Sequence, residues 1–149
     1  MTEEYPRPEK LSVIVFSGDY EKVHYALVTA AAAAAIDTPV TLFFTMDAIR
    51  ALMGNDPEGN PGWHRLAVGK AGYPDARSID QIMRSRGVVG FAELLDSCVS
   101  LHVKIMVCEM GLRAADIAAE SLRGDLSIQS GGLVTFLNDA RAKGAMLFI

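Results

Sequence analysis

Three short runs of almost unbroken apolar residues limit what this chain can become. They are Leu11-Ser12-Val13-Ile14-Val15-Phe16, Val40-Thr41-Leu42-Phe43-Phe44-Thr45 and Val103-Lys104-Ile105-Met106-Val107. Such runs, rich in β-branched and aromatic side chains and lacking strict alternation, read as strands covered on both faces. Strands of that kind belong to parallel sheets, whose crossovers lay helices over the sheet. Between the runs the apolar spacing becomes helical. Val23, Leu27 and a series of alanines share one side of a segment from near Tyr20 to Ile36, and Ser17 or Asp19 stands where a helix cap is wanted. The alanine run, 30–35, needs no special role: alanine is the best helix former and lets a helix lie close to its neighbour. Phe91, Leu94, Leu95, Cys98 and Leu101 repeat at helical spacing over a helix predicted at 92–101, which puts Cys98 in a packing stripe.

Shorter helices are predicted over 47–53, 79–84, 112–119 and 133–142, with further strands over 126–128 and 145–149. Glycine, proline and asparagine crowd the segment 54–77, which reads as a long loop with a short helical piece around 63–68. Trp63 in that loop is expected to anchor it onto the body or onto a neighbouring subunit, and His64 to be solvated. Strand and helix thus alternate along 149 residues, enough for one domain, 1–149, with 54–77 as a loop insertion. The fold class is α/β: a doubly wound five-stranded parallel sheet, helices on both faces, with the flavodoxin-like strand order 2-1-3-4-5. In that order the switch point lies between the first and third strands. It would bring Ser17-Gly18-Asp19 together with Cys108-Glu109-Met110-Gly111, the two segments that leave those strands.

The chemistry narrows at Cys108, which stands where the third strand stops and a helix begins. A helix N-terminus offers free N–H groups and partial positive charge, both of which favour a thiolate. Acyl transfer would need a positioned histidine. His102 lies at the opposite end of that strand, His64 in the loop, and His24 about one turn into the first helix; none makes a convincing partner. Dithiol chemistry is excluded by distance, because Cys98 and Cys108 flank a strand that rises roughly 15 Å. Ser17-Gly18-Asp19 is too short and too acidic for a phosphate loop. What remains is an exposed thiolate that carries a group, such as a persulfide sulfur, between partners; the alternative is a binding or assembly module with Cys108 merely buried.

Composition agrees with that class. The formal net charge of −4 and the absence of a basic block speak against nucleic acid. No apolar run reaches the length of a membrane span, and the polar, proline-bearing segment 1–10 lacks a signal-peptide core. A cytoplasmic protein is expected, with both cysteines as thiols, no metal-ligand spacing and no cofactor.

The residues also carry a resemblance. Phe16-Ser17-Gly18-Asp19-Tyr20-Glu21-Lys22-Val23, Val40-Thr41-Leu42-Phe43-Phe44-Thr45, Leu101-His102-Val103-Lys104-Ile105-Met106-Val107-Cys108-Glu109-Met110 and the Gly131-Gly132 pair are similar, in order, to the DsrE/DsrF/DsrH-like sulfurtransferases, in particular the DsrE-type subgroup. The resemblance implies the same doubly wound sheet, a sulfur-accepting cysteine at Cys108, sulfur donor and acceptor proteins as partners, and oligomers, often trimers or hexamers. The chain departs from relatives after the cysteine, where Glu109-Met110-Gly111-Leu112 replaces a Met-Ser-Met-Asp pattern, and in the segment 61–84, which holds only Met83 where relatives are methionine-rich. The peroxiredoxin label often given to the subgroup finds no threonine and arginine context here.

Overall fold

The computed structural model describes residues 6–149, so residues 1–5 of the polar N-terminal segment lie outside the described part. The elements run β1 (Leu11–Val15), α1 (Tyr20–Ala35), β2 (Val40–Phe44), 3-10 helices at Met46–Leu52 and Gly62–Arg65, α2 (Ala76–Ser85), α3 (Phe91–Ser100), β3 (Lys104–Cys108), α4 (Glu109–Ala114), a 3-10 turn at Ala119–Ser121, β4 (Ile128–Gly131), α5 (Leu133–Asp139) and β5 (Ala145–Phe148). The five strands form one parallel sheet. The α/β class, the strand count and the parallel sense agree with the sequence.

The order inside the sheet is β4-β3-β2-β1-β5, not 2-1-3-4-5. β1 pairs with β2 and β5, and β3 pairs with β2 and β4. The reason lies in the crossovers. The first three all step the same way, and a right-handed step in one direction puts its helix on one face. Accordingly α1 and α3 pack together on that face, over Val13, Val15, Leu42, Phe44, Ile105 and Val107. Only the step from β4 to β5 reverses, passing the whole width of the sheet, so its helix α5 lies alone on the other face. There Phe136 meets Phe43, Met106 and Cys108, with Ile14 beside them. Apolar runs alone do not order the strands, because every central strand is equally apolar.

Local chemistry fixes the element ends. Asp19 caps α1, its Oδ1 accepting from the N–H groups of Glu21 and Lys22 at 3.0 and 3.4 Å. Asp37, left-handed at φ 65°, and Pro39 end it. Asp75 caps α2, its Oδ1 accepting from the Ser78 N–H at 2.8 Å. After β2 the chain makes a 3-10 rather than an α-helix, and α5 stops at Asp139. β4 starts later than expected and runs into Gly131, leaving Gly132 to cap α5. Trp63 is buried against Phe91 (5.2 Å between centroids) and Tyr20 (5.9 Å), so it anchors the 54–77 segment as expected. No helix of the described residues is long and apolar enough to cross a membrane.

Candidate functional site

Cys108 is both the last residue of β3 and the cap of α4. Its Sγ accepts a hydrogen bond from the Gly111 N–H at 3.4 Å. Strand passes into helix with no loop between, so Met110 and Gly111, expected in a turn before a helix at 112–119, are themselves helical. Gly111 is required by close approach. A methyl group on it would come within 2.6 Å of Thr45 Oγ1 and 2.8 Å of the Met46 backbone nitrogen. Only glycine lets α4 lie against the end of β2.

The thiol points to the thinly covered face, among Phe43, Met106 and Phe136, and is 3 % exposed. The sulfur expected to be exposed is therefore sheltered. The shelter is slight in depth, since α5 is a single short helix whose outer side chains Leu133, Val134 and Leu137 are exposed. Cys98 is different. It lies in the main core, 0 % exposed, its S–H donating to the Leu27 carbonyl at 3.5 Å. Burial pushes its thiol up to about 11, against a smaller opposing effect of a backbone hydrogen bond at Ala31. Both cysteines are free. No hydrogen bond among the described residues joins a histidine to Cys108. His24 is buried with its Nε2 2.8 Å from the Val89 carbonyl, and His64 stands edge-on to Trp63 at 4.3 Å.

Ser17 and Gly18 line an open cavity of about 840 Å³ at the C-terminal edge of the sheet. Phe16, Phe148 and Ile149 give it apolar walls, Met46 and Asp47 enter from the segment after β2, and Lys22 supplies positive charge. Asp19, grouped with Ser17 and Gly18 on sequence, is committed elsewhere. Besides capping α1, its Oδ2 accepts from the Gly69 N–H at 2.6 Å and ties the 54–77 segment to the helix. Glu109 and Met110 lie on the exposed side of α4.

The two segments expected to meet are thus held apart by β2. Two strand spacings separate β1 from β3, roughly 10 Å. The link between them is Met46. It lines the cavity beside Ser17, and its backbone nitrogen lies against Gly111. It holds φ at 50°, a left-handed conformation that costs roughly 1 kcal/mol or more in a residue other than glycine. Thr45 and Met46 were not legible as site residues. Their placement follows from the pairing of β2 with β3, where Phe44 is opposite Val107 and the next step along sets Thr45 beside Cys108.

Comparison with known proteins gives the following likenesses. The chain is 26% identical over 166 aligned positions to the uncharacterized protein YrkE of Bacillus subtilis, with 100% of each covered. It is 28% identical over 160 positions to the sulfur carrier protein DsrE2 of Allochromatium vinosum, covering 95% of this chain and 98% of that one. The crystal structure of the YchN protein from E. coli shares the fold, with a TM-score of 0.55 and 16% identity over 95% of this chain and 99% of that one. No protein-family model matches the chain. The chain is thus similar end to end to a curated sulfur carrier protein and shares its fold with YchN.

Proposed function

We propose that the protein is a sulfur carrier that holds a persulfide on Cys108 and passes it between protein partners in the cytoplasm. The observation that carries the reading is the position of Cys108, a thiol at the exit of a central strand whose Sγ already accepts an N–H hydrogen bond. The likeness to DsrE2 supports the class. In the loading step the Cys108 thiolate attacks the outer sulfur of a donor persulfide. The Sγ–S bond forms and the donor's S–S bond breaks. The outer sulfur's proton passes to the departing donor thiolate, and no electrons are gained or lost overall. An acceptor thiolate reverses the exchange. Ser17, Gly18, Glu109, Met110 and Gly111 frame the approach of the partner; Asp19 holds the frame.

Assembly is part of the proposal. Phe16, Met146, Leu147 and Phe148 expose apolar surface along the β5 edge, and Leu133, Val134 and Leu137 continue it over α5. Apolar edges of this kind are normally covered. A homo-oligomer, trimer or hexamer, would cover this one and set Cys108 near a subunit boundary.

The burial of Cys108 favours a second reading, a ligand-binding or assembly module whose cysteine only packs. Intact mass after incubation with a low-molecular-weight persulfide decides between them. The carrier gains the mass of one sulfur atom, reversibly with a thiol, and Cys108→Ser does not. Uptake that persists in Cys108→Ser, or no uptake by the wild type, defeats the carrier reading.

A further inference from the structure

The sheet ends in two edges of different character. β4 closes one side with Ile128-Gln129-Ser130-Gly131, polar in its middle. β5 closes the other with Ala145-Met146-Leu147-Phe148. Charges, prolines and covering elements are what keep a free edge from pairing. β5 carries no charge and no proline, and among the described residues it pairs with β1 alone. Its side chains are exposed on both faces of the sheet. Met146 and Phe148 stand beside Ser12 and Ile14 on the α5 face, and Leu147 beside Val13 on the other. Phe148 stays 67 % exposed even with the Phe16 ring 5.3 Å away.

The backbone decides what this edge can take. The Ala145 N–H donates to the Lys10 carbonyl at 2.8 Å, and the Ile149 N–H to the Ile14 carbonyl at 2.9 Å. Successive residues of a strand turn their backbone groups to opposite sides. Ala145, Leu147 and Ile149 therefore face β1, and Met146 and Phe148 point their N–H and C=O groups out of the sheet. Two outward residues with one between them are self-complementary. When a second β5 runs antiparallel, Met146 of one copy lies opposite Phe148 of the other, and each such pair exchanges both of its hydrogen bonds about a two-fold axis at Leu147. We infer that β5 pairs in this register with β5 of a second copy, joining the two sheets into one. This deepens the assembly part of the reading above. Met146 then packs beside Phe148 of the second copy on the α5 face, and the two Leu147 side chains meet on the other, with no like charges opposed. Pairing of β5 with the β4 edge of another copy would set Met146 and Leu147 beside Gln129 and Ser130, and would run head to tail. The two-fold pairing uses up the apolar edge instead. Of the trimer and the hexamer, only the hexamer has two-fold axes, so the pairing selects it.

Two variants test the pairing. Met146→Pro removes an outward N–H and no bond to β1, so the fold tolerates it as an edge strand does. The inference expects light scattering to give half the wild-type mass, with an unchanged circular dichroism spectrum. The second arm uses a Cys98→Ala, Cys108→Ser background, so that added cysteines are the only thiols. In Leu147→Cys the axis sets the two Cα atoms about 4.5 Å apart, within disulfide reach. Ala145→Cys, two residues from the axis, holds its pair roughly 14 Å apart. Mild oxidation should link Leu147→Cys into dimers on a non-reducing gel at least about tenfold more than Ala145→Cys. A wild-type trimer overturns the pairing, as does wild-type mass in folded Met146→Pro together with equal cross-linking of the two cysteine variants; each leaves the assembly itself standing. A wild-type monomer overturns both. Neither arm uses the Cys108 thiol, so a failure of sulfur loading counts against the carrier reading and not against the pairing.

Discussion

At the scale of single residues the two cysteines divide by surroundings. Cys98 sits among α1 and α3 side chains with its proton donated to a carbonyl, and burial holds it as a neutral thiol to about pH 11. It is therefore expected to resist iodoacetamide in the native protein at pH 8 and to react only on unfolding; peptide mass mapping reads the outcome directly. The same shift has a sign for stability. A thiol whose folded pKa exceeds its ordinary 9.0 stabilises the fold fully below pH 9, and that contribution is lost as pH rises through about 11. Cys98→Ala should thus remove part of the alkaline loss of stability, seen as a smaller fall in urea midpoint between pH 8 and 11. The Cys98 assignment was legible in the sequence because helical spacing puts it among Leu94, Leu95 and Phe91. The depth of Cys108 was not, since no periodicity reveals that one short helix from the far end of the chain lies over it.

At the scale of elements, α5 is the piece on which access to Cys108 turns. Phe136, fully buried, stacks on Phe43 at 4.9 Å between centroids and completes the cluster around the thiol. The helix's last residue, Asp139, is fastened to the starts of three strands. It pairs with Lys10 at 3.1 Å and Lys104 at 2.6 Å and accepts from Thr41 Oγ1 at 2.6 Å. Burial alone would raise the Asp139 carboxyl, but hydrogen bonds from Lys104, Thr41 and Lys10 outweigh it and hold it well below the usual carboxylate range. A lowered pKa stabilises the fold above the ordinary carboxylate range, and that contribution is lost as pH falls below it. Asp139→Asn leaves Lys10, 7 % exposed, without its counter-charge and should cost about 2 kcal/mol at pH 7 by urea denaturation, less at pH 3. Phe136→Ala should cost about 3 kcal/mol and, in the native state, raise the alkylation rate of Cys108 about tenfold or more. Stopped labelling followed by mass measures it, and an unchanged rate would show that α5 does not control access. The helices that pack on the main face were readable from their apolar stripes. The sheet order was not, because it depends on which crossover reverses, and nothing in the apolar runs marks the one after β4.

At the scale of the whole molecule, the reversal between β4 and β5 shapes both the site and the surface. It places β5 beside β1, so that Phe148 meets Phe16 at 5.3 Å and both wall the cavity that Ser17 and Gly18 line. It also leaves the β5 edge and the outer side of α5 apolar and exposed. Light scattering at micromolar concentration should give the mass of a trimer or hexamer, and Val134→Glu or Phe148→Glu should lower it without unfolding the chain; a wild-type monomer would refute assembly through this face. The switch point expected between the first and third strands is filled by β2, and Thr45 and Met46 take the place where those two segments were expected to touch. The central claim remains that sulfur rests on Cys108. Its most direct test is tandem mass spectrometry of peptides from the native protein loaded with a small persulfide and capped by alkylation before digestion. The account predicts one extra sulfur atom on the peptide that contains Cys108 and none on that of Cys98. An extra sulfur confined to Cys98, or found on neither, would contradict it.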